Sequence, residues 1–338
     1  MVSLGCIPGG WGRFACLIAA VVLVPFLCGC ASRGNFSFFL DRGRADFRYA
    51  RLEGANLKGL DLSGKDFGGA DLRGVDGAGV NFRGARLRRA DLRKAALRRA
   101  RMENADITGG RLYRADLTEA DLAGARFQGA DCILARMRKA RCVKAVFAGA
   151  DLSGADLAGA DLAGADLRGA LLFGANLEGA NLAGGNLGGA RLYFADLRGV
   201  DLRRVNLERA DLRDAKMTRA DLRGLRLRGT LLTGADFTGA LLGGADLGGM
   251  NLAGVEFDSA DLGGADLRDA DLSTSSLKRI RLGGAKLAGA RIDRKYHPMI
   301  LTQHVDISKI VWVSGKGESA KGIKTPSAGD HEGKVDAE

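Results

Sequence analysis

The chain carries a large apolar residue at every fifth position for most of its length. Between Phe47 and Ile292 this central position holds Leu, Ile, Met or Phe in nearly every repeat. Ala is the usual residue two positions earlier, Asp or Asn stands directly before the centre, and the two following positions are mixed. The exceptions at the centre are Gly77, Cys132 and Cys142. About 50 such repeats follow one another without a slip, which indicates a repeat architecture.

Neither a helix nor a flat strand satisfies this period. On an α-helix five residues advance by about 500°, so successive apolar residues would lie about 140° apart and cover every side. On a strand an odd spacing sends them to alternate faces. The pattern therefore predicts a chain that turns a corner in each repeat, so that every central residue points inward. Stacked coils would then pair their backbone groups at about 4.8 Å, as strands do.

The repeat resembles the pentapeptide-repeat family, whose pattern is A-(D/N)-L-x-x, as in Ala155-Asp156-Leu157-Ala158-Gly159. The resemblance covers residues 45–293. It implies an all-β fold, a right-handed quadrilateral β-helix with four pentapeptides in each coil and about 12 coils in the rod.

Two further rhythms accompany the main period. Central phenylalanines form pairs separated by the length of four repeats, and each pair is expected to stack on one wall of a four-repeat coil. These pairs are Phe47 with Phe67, Phe127 with Phe147, and Phe237 with Phe257. Enlarged residues at the Ala site recur instead at intervals of five repeats, and the sequence alone offers no physical account of that spacing. They are Val200 and Val205, Leu225 and Thr230, Met250 and Val255, and Ser275 and Ile280.

Two residues depart from the pattern close together. Lys65 occupies an Ala site and Gly77 a central site. A charged residue at the one site and a missing side chain at the other predict that the rod is locally loose there.

The N-terminal segment, before the repeats begin, differs from them in composition. Arg13 precedes an apolar run over residues 14–26, which suits the core of a secretory signal and is shorter than the roughly 20 residues that span a bilayer. The run ends in Leu27-Cys28-Gly29-Cys30, which resembles the bacterial lipobox. The resemblance implies cleavage before Cys30 and lipid on that cysteine. An ordinary cleaved signal and a start codon placed too early are the alternatives.

These segments divide the chain into five parts. We assign residues 1–30 to a lipoprotein-type signal peptide, 31–44 to a tether and N-terminal cap, and 45–293 to the β-helix. Residues 294–313 would form a C-terminal cap closed by Trp312, and 314–338 read as a disordered tail. The apolar residues expected to form the N-terminal lid are Phe36, Phe38, Phe39 and Leu40. If the cell is Gram-negative, Ala31 after the lipidated cysteine favours the outer membrane, facing the periplasm.

The composition of the repeats argues against catalysis. Every histidine lies outside them, at His297, His304 and His331, and no serine or Cys/His spacing suits a nucleophile or zinc. Periodic Asp and Asn are interpreted as turn formers. Cys132 and Cys142 lie half a coil apart, so we expect free thiols pointing inward from opposite walls. The sequence therefore predicts no enzyme, no cofactor and no metal.

Charge is the remaining clue to a partner. The chain carries a net charge of +11, and one coil's length is crowded with basic residues. This basic belt comprises Arg83, Arg86, Arg88, Arg89, Arg93, Lys94, Arg98 and Arg99. Because the residues follow the chain round all four walls, they would encircle the rod and attract phosphate-bearing partners, such as anionic lipid headgroups, lipopolysaccharide or nucleic acid. A merely solvated surface is the alternative.

The predicted function is a lipid-anchored binding scaffold of the bacterial cell envelope, attached to the membrane through Cys30 and acting on an unknown protein or an anionic envelope component. The best-known activity in the family, mimicry of DNA by an acidic rod that occupies a topoisomerase, is the alternative. The net positive repeats and the secretory signal oppose it, and the signal also disfavours nucleic acid as a partner.

Overall fold

The architecture is a four-sided β-helix, seen in a computed structural model that describes residues 46–314. The residue before each central position forms a parallel bridge with its counterpart four repeats later, as Asp46 does with Asp66. Four repeats therefore complete one coil, which confirms the predicted class. We name the four walls by their first rung: wall A from Asp46, wall B from Arg51, wall C from Asn56 and wall D from Asp61.

Nearly every corner of the described repeats is a tight turn with a left-handed residue, the exceptions being Arg204 and Thr274. The amide of Ala55 donates to the carbonyl of Leu52 at 2.9 Å, and Gly54 between them has φ +66°. A positive φ at this position defines a type II turn and favours glycine. The Asp before the centre stabilises this kind of turn in its own repeat, since Asp66 Oδ1 accepts the amide of Gly68 at 2.9 Å. The interpretation of the periodic Asp and Asn as turn formers is therefore confirmed.

The central side chains fill the axis of the rod. Leu and Phe at these positions are almost completely buried, and the Ala residues line the corners where walls meet. The three phenylalanine pairs stack across one coil, with ring centroids 5.0, 4.7 and 5.5 Å apart. The prediction drawn from their four-repeat spacing is confirmed.

The enlarged Ala-site residues mark places where neighbouring coils separate. Among the repeats that the structure describes, the ladder of bridges is interrupted at three rungs. The missing bridges are those that would pair Asn181 with Asp201, Asn206 with Arg226, and Leu231 with Asn251. Each gap lies one coil further along the rod and one wall further round it than the gap before, and these two steps add up to five repeats. The gaps therefore form a helical seam on the surface of the rod.

Side-chain volume accounts for this seam. Val200 and Val205 flank the repeat at the first gap, and the next two enlarged pairs flank the second and third gaps. Side chains larger than Ala at the corners leave less room for the next coil, and the backbone hydrogen bonds between coils are lost. The fourth pair keeps its bridge, and its Ser275 hydroxyl donates to the carbonyl of Leu252 at 2.7 Å.

The expected looseness at Gly77 is not found. The bridges on both sides of this repeat are intact, and a Cβ on Gly77 would lie 2.9 Å from Leu97 Cδ2 and 3.4 Å from Val80 Cγ1. Val75 and Val80, both larger than the usual Ala, flank this repeat and are fully buried. The missing side chain at position 77 compensates for their volume, so the ladder is uninterrupted. Lys65 is half-exposed at its corner.

The last turn contains the regular elements. Strand β1 (Asp271–Leu272), β2 (Arg291–Asp293) and β3 (Val311–Val313) form a parallel sheet in that order, with Ile292 opposite Trp312. A 3₁₀ helix (Arg294–Tyr296) and helix α1 (His297–Leu301) lie between β2 and β3, an addition to the predicted all-β class. The rings of His297 and Trp312 meet edge to face at 4.8 Å.

The predicted signal peptide, tether and N-terminal lid, and the tail beyond residue 314, lie outside the described residues. Between residues 46 and 314, neither short helix is long and apolar enough to cross a membrane.

Candidate binding surfaces

The basic belt encircles the rod as the sequence suggests. Because four repeats complete one coil, the eight residues occupy all four walls in turn. Arg83 lies on wall D; Arg86, Arg88 and Arg89 on wall A; Arg93 and Lys94 on wall B; Arg98 and Arg99 on wall C.

Carboxylates on neighbouring coils lie next to the belt, although they are distant from it in sequence. Arg88 Nε lies 2.5 Å from Asp106 Oδ2, and Arg99 Nε lies 2.7 Å from Glu119 Oε2, in both cases on the next coil. Arg93 pairs with Asp91 at 2.6 Å within its own repeat. Further carboxylates lie within ion-pair range of Arg83, Arg86 and Arg98; they are Glu103, Asp66 and Asp116. Most of the belt's positive charge is therefore balanced locally.

Arg89 and Lys94 have no ion pair within residues 46–314. Together with Arg99 they occupy the left-handed corner position, at φ 55°, 60° and 56°, where most repeats have glycine. A side chain with a Cβ in this conformation costs about 1 kcal/mol. The belt thus places exposed cations at corners where they reduce stability.

A shallow cleft on wall D adjoins the belt. It has a volume of about 500 Å³ and is lined by Arg83, Glu103, Asn104, Arg141 and Lys144, among others. Glu103 Oε2 is buried there without a hydrogen-bond partner in the described part of the chain. Burial is the largest influence on the pKa of Glu103 and raises it. The hydrogen bond from Arg83, a backbone hydrogen bond and the charges of Arg83 and Arg101 together outweigh burial, so the pKa lies below its ordinary value. The cleft therefore presents charges of both signs.

The two cysteines of the repeats are inert. Cys132 on wall B and Cys142 on wall D are fully buried and free, which confirms the expected inward-pointing thiols on opposite walls. Burial raises the pKa of both thiols, so neither forms a nucleophilic thiolate at neutral pH. Within residues 46–314 no cluster of His, Cys, Asp and Glu could hold a metal ion.

Besides the basic belt there is a second candidate binding surface, which lies on wall B and was not predicted from the sequence. Leu134, Phe173 and Phe194 project outward from this wall with 40%, 38% and 56% of their surfaces exposed. Tyr113, Ile133 and Tyr193 lie on the same wall. We call these six residues the apolar strip. Writing the sequence in rows of four repeats would have revealed it, because its members recur at the two positions after the centre in the same column.

The fold is thus a β-solenoid with charged and apolar walls, and comparison with known proteins defines its family. The family described as pentapeptide repeats matches in eight copies, so the chain belongs to the pentapeptide-repeat family. The copies cover residues 43–76, 78–112, 115–154, 135–172, 150–189, 170–209, 195–234 and 235–273. Members of this family form right-handed quadrilateral β-helices and are in general structural or binding proteins rather than enzymes.

Several solved structures are similar to this chain. HetL, a pentapeptide repeat protein involved in heterocyst differentiation regulation from Nostoc sp. strain PCC 7120, is 32% identical over 76% of this chain and 95% of HetL, with a TM-score of 0.28. Full-length QnrB1, a plasmid-mediated fluoroquinolone resistance protein, is 21% identical over 60% of this chain and 89% of its own, with a TM-score of 0.31. A search of the curated proteins found no match.

Proposed function

We propose that the protein is a lipid-anchored scaffold of the bacterial cell envelope, which binds its partners through the walls of the rod. The observation that carries the anchoring is the sequence Leu27-Cys28-Gly29-Cys30 at the end of an apolar run. Lipid on Cys30 would contribute about 0.8 kcal/mol for each buried methylene, so more than one chain anchors stably.

The proposed partner is an anionic component of the envelope, such as lipid headgroups or lipopolysaccharide. The arrangement of the belt supports this, because its cations face outward on all four walls and two of them, Arg89 and Lys94, have no ion pair among the described residues. A ring of cations suits a diffuse anionic surface better than a single groove. Because the other belt cations are paired, we expect this binding to be weak and sensitive to salt.

Anchoring is tested by feeding cells radiolabelled palmitate. Wild type and Cys28→Ala should both incorporate the label, because Ala is an ordinary residue at that lipobox position, whereas Cys30→Ala should incorporate none. Absence of label on the wild type would remove the envelope assignment and restore the cytosolic alternative, a rod that acts on a topoisomerase.

Binding to anionic surfaces is tested with phosphatidylglycerol vesicles. Changing Arg88, Arg93 and Arg98 to Ser should weaken binding at low salt, and binding should fall as salt rises. The matched control changes Arg138, Arg168 and Arg268 to Ser, which removes the same charge from exposed outward positions elsewhere. If the two triple variants bind alike, the belt is only a solvated surface.

A further inference from the structure

Wall B carries four consecutive coils without a charge at the two outward positions. These positions hold Ile133-Leu134, Ser153-Gly154, Phe173-Gly174 and Tyr193-Phe194. At the same two positions, the neighbouring coils on this wall carry Arg114 on one side, and Arg213 with Asp214 on the other. An uncharged centre with a charged rim is the usual anatomy of a protein interface.

The four coils are self-complementary about a two-fold axis between the coil of Ser153 and the coil of Phe173. We call the two outward residues that one coil places on wall B a row. The rungs are evenly spaced, so when a second rod packs antiparallel, each row meets the row that lies at the same distance on the other side of the axis. Phe173 then faces the small Ser153-Gly154 row, and Ile133-Leu134 faces Tyr193-Phe194. Large residues face small ones at the centre, and apolar rows face each other on either side of it.

The charged rows beside the strip match in the same register. The row of Arg114 lies as far from the axis as the row of Asp214, so Arg114 of one rod faces Asp214 of the other. Arg213 faces Tyr113 in this register and is paired with Asp211 of its own chain at 2.6 Å. A parallel packing would instead place Arg114 against Arg114. Opposite charges across an interface fix its register, and like charges disfavour the alternative.

A second copy fits this wall better than a membrane does. Beside the strip stand the half-buried rungs Asp131 and Asp151 and the exposed rung Arg191. In the antiparallel register Asp131 of one rod faces Arg191 of the other, whereas the apolar part of a bilayer offers these charges no partner. The axis also lies near the middle of the described rod, so two antiparallel rods overlap along nearly their full length. A wall about 60 Å long and about 12 Å wide offers on the order of 700 Å² per partner, close to the roughly 800 Å² of a standard interface.

We infer that wall B is the interface of an antiparallel homodimer, with Phe173 of each chain seated against Ser153 and Gly154 of the other. The contact leaves walls A, C and D of both rods exposed. The belt residues on those walls, such as Arg89 and Arg99, therefore point away from the interface. Arg93 and Lys94 on wall B lie within it, opposite the uncharged Thr233-Gly234 row, so of the belt cations without an ion pair among the described residues Arg89 is the one that stays available to an anionic partner.

The interface is tested in intact cells with the photo-crosslinking residue p-benzoylphenylalanine in place of Phe194 in the full-length chain. Irradiation should give an adduct of twice the chain mass, with the cross-link mapped by mass spectrometry to residues 131–135. The matched control places the same residue at Tyr49, which is 78% exposed on wall A, and should give no such adduct. No dimeric adduct, adducts elsewhere on the chain, or adducts only with lipid or with another protein would overturn the inference.

Charge reversal tests the register. Arg114→Asp and Asp214→Arg should each lower the yield of the dimeric adduct about ten-fold, because each places like charges opposite one another. The double variant should restore the yield, since the pair is reversed but kept. Both positions are outward corners of the rod, so the fold is expected to tolerate the changes. A double variant no better than the single variants would overturn the antiparallel register.

Discussion

Phe127 and Phe147 lie one coil apart on wall A and stack with their ring centroids 4.7 Å apart. Both rings are fully buried on the axis. The contact joins residues separated by four repeats, so it depends on the coil closing after four repeats. It contributes both buried apolar area and ring stacking.

Removing one ring should therefore be costly. We expect Phe147→Ala to lower the free energy of unfolding by about 3–5 kcal/mol, because it leaves a cavity that the stacked coils cannot close. Phe147→Leu, which restores the usual central residue, should cost less than about 1.5 kcal/mol. Chemical denaturation followed by circular dichroism measures both values. Equal effects of the two changes would contradict a tightly packed axis.

Filling the space at Gly77 should destabilise the rod rather than repair it. Gly77→Leu is expected to cost about 1–3 kcal/mol, because the new side chain would clash with Leu97 and Val80. Adding Val75→Ala and Val80→Ala should recover much of this loss, since the triple variant has the ordinary residues at all three sites. A double-mutant cycle with no coupling between position 77 and its two neighbours would show that the volumes do not compensate.

The cations at left-handed corners should reduce stability. Lys94→Gly is expected to raise the free energy of unfolding by about 1 kcal/mol, because glycine adopts this backbone conformation without a steric penalty. Lys94→Ala should give no such gain, since Ala has the same Cβ. Thermal unfolding of the two variants separates the backbone effect from the loss of charge, and identical melting temperatures would contradict it.

Stability should fall in acid. The hydrogen bond from Arg268 lowers the pKa of Asp266 to about 2, against the opposing effect of burial, whereas an unfolded Asp titrates near about 3.9. The folded chain therefore binds this proton less readily, so the stabilisation is complete above the unfolded pKa and is lost as pH falls towards 2. Hydrogen bonds from arginines likewise lower the pKa of Asp71, Asp166 and Asp211.

Asp266→Asn keeps an acceptor for the turn and removes the titrating group. The free energy of unfolding of this variant should vary less between pH 5 and pH 2 than that of the wild type. Arg268→Gln removes the partner instead and should flatten the same curve. Unchanged slopes in both variants would show that the pair does not couple to folding.

The sequence predicted the fold because each pentapeptide repeats the same local rule. A central apolar residue, an Ala corner and an Asp-closed turn specify the coil almost independently of distant contacts, and the phenylalanine spacing reveals its length. The seam was not predictable in the same way, because whether Val200 and Val205 fit depends on the volume of the coils beside them. At Gly77 the sequence predicted a loose place in the rod, whereas in the structure the missing side chain compensates for the volume of Val75 and Val80.

The candidate surfaces were predicted only in part. The belt follows from local sequence, but its ion pairs do not, because Glu119 approaches Arg99 from a different coil. The apolar strip was missed since its rows lie a full coil or more apart and each looks like an isolated substitution. Contacts between coils thus determine how much charge and apolar surface a wall presents.

The central claim, a rod anchored in the envelope through Cys30, is tested most directly by the intact mass of the protein extracted from membranes. The account predicts a mature chain that begins at Cys30 and carries the mass of the added acyl chains and diacylglycerol. A chain that starts at Met1, or one cleaved at this site without lipid, would contradict it.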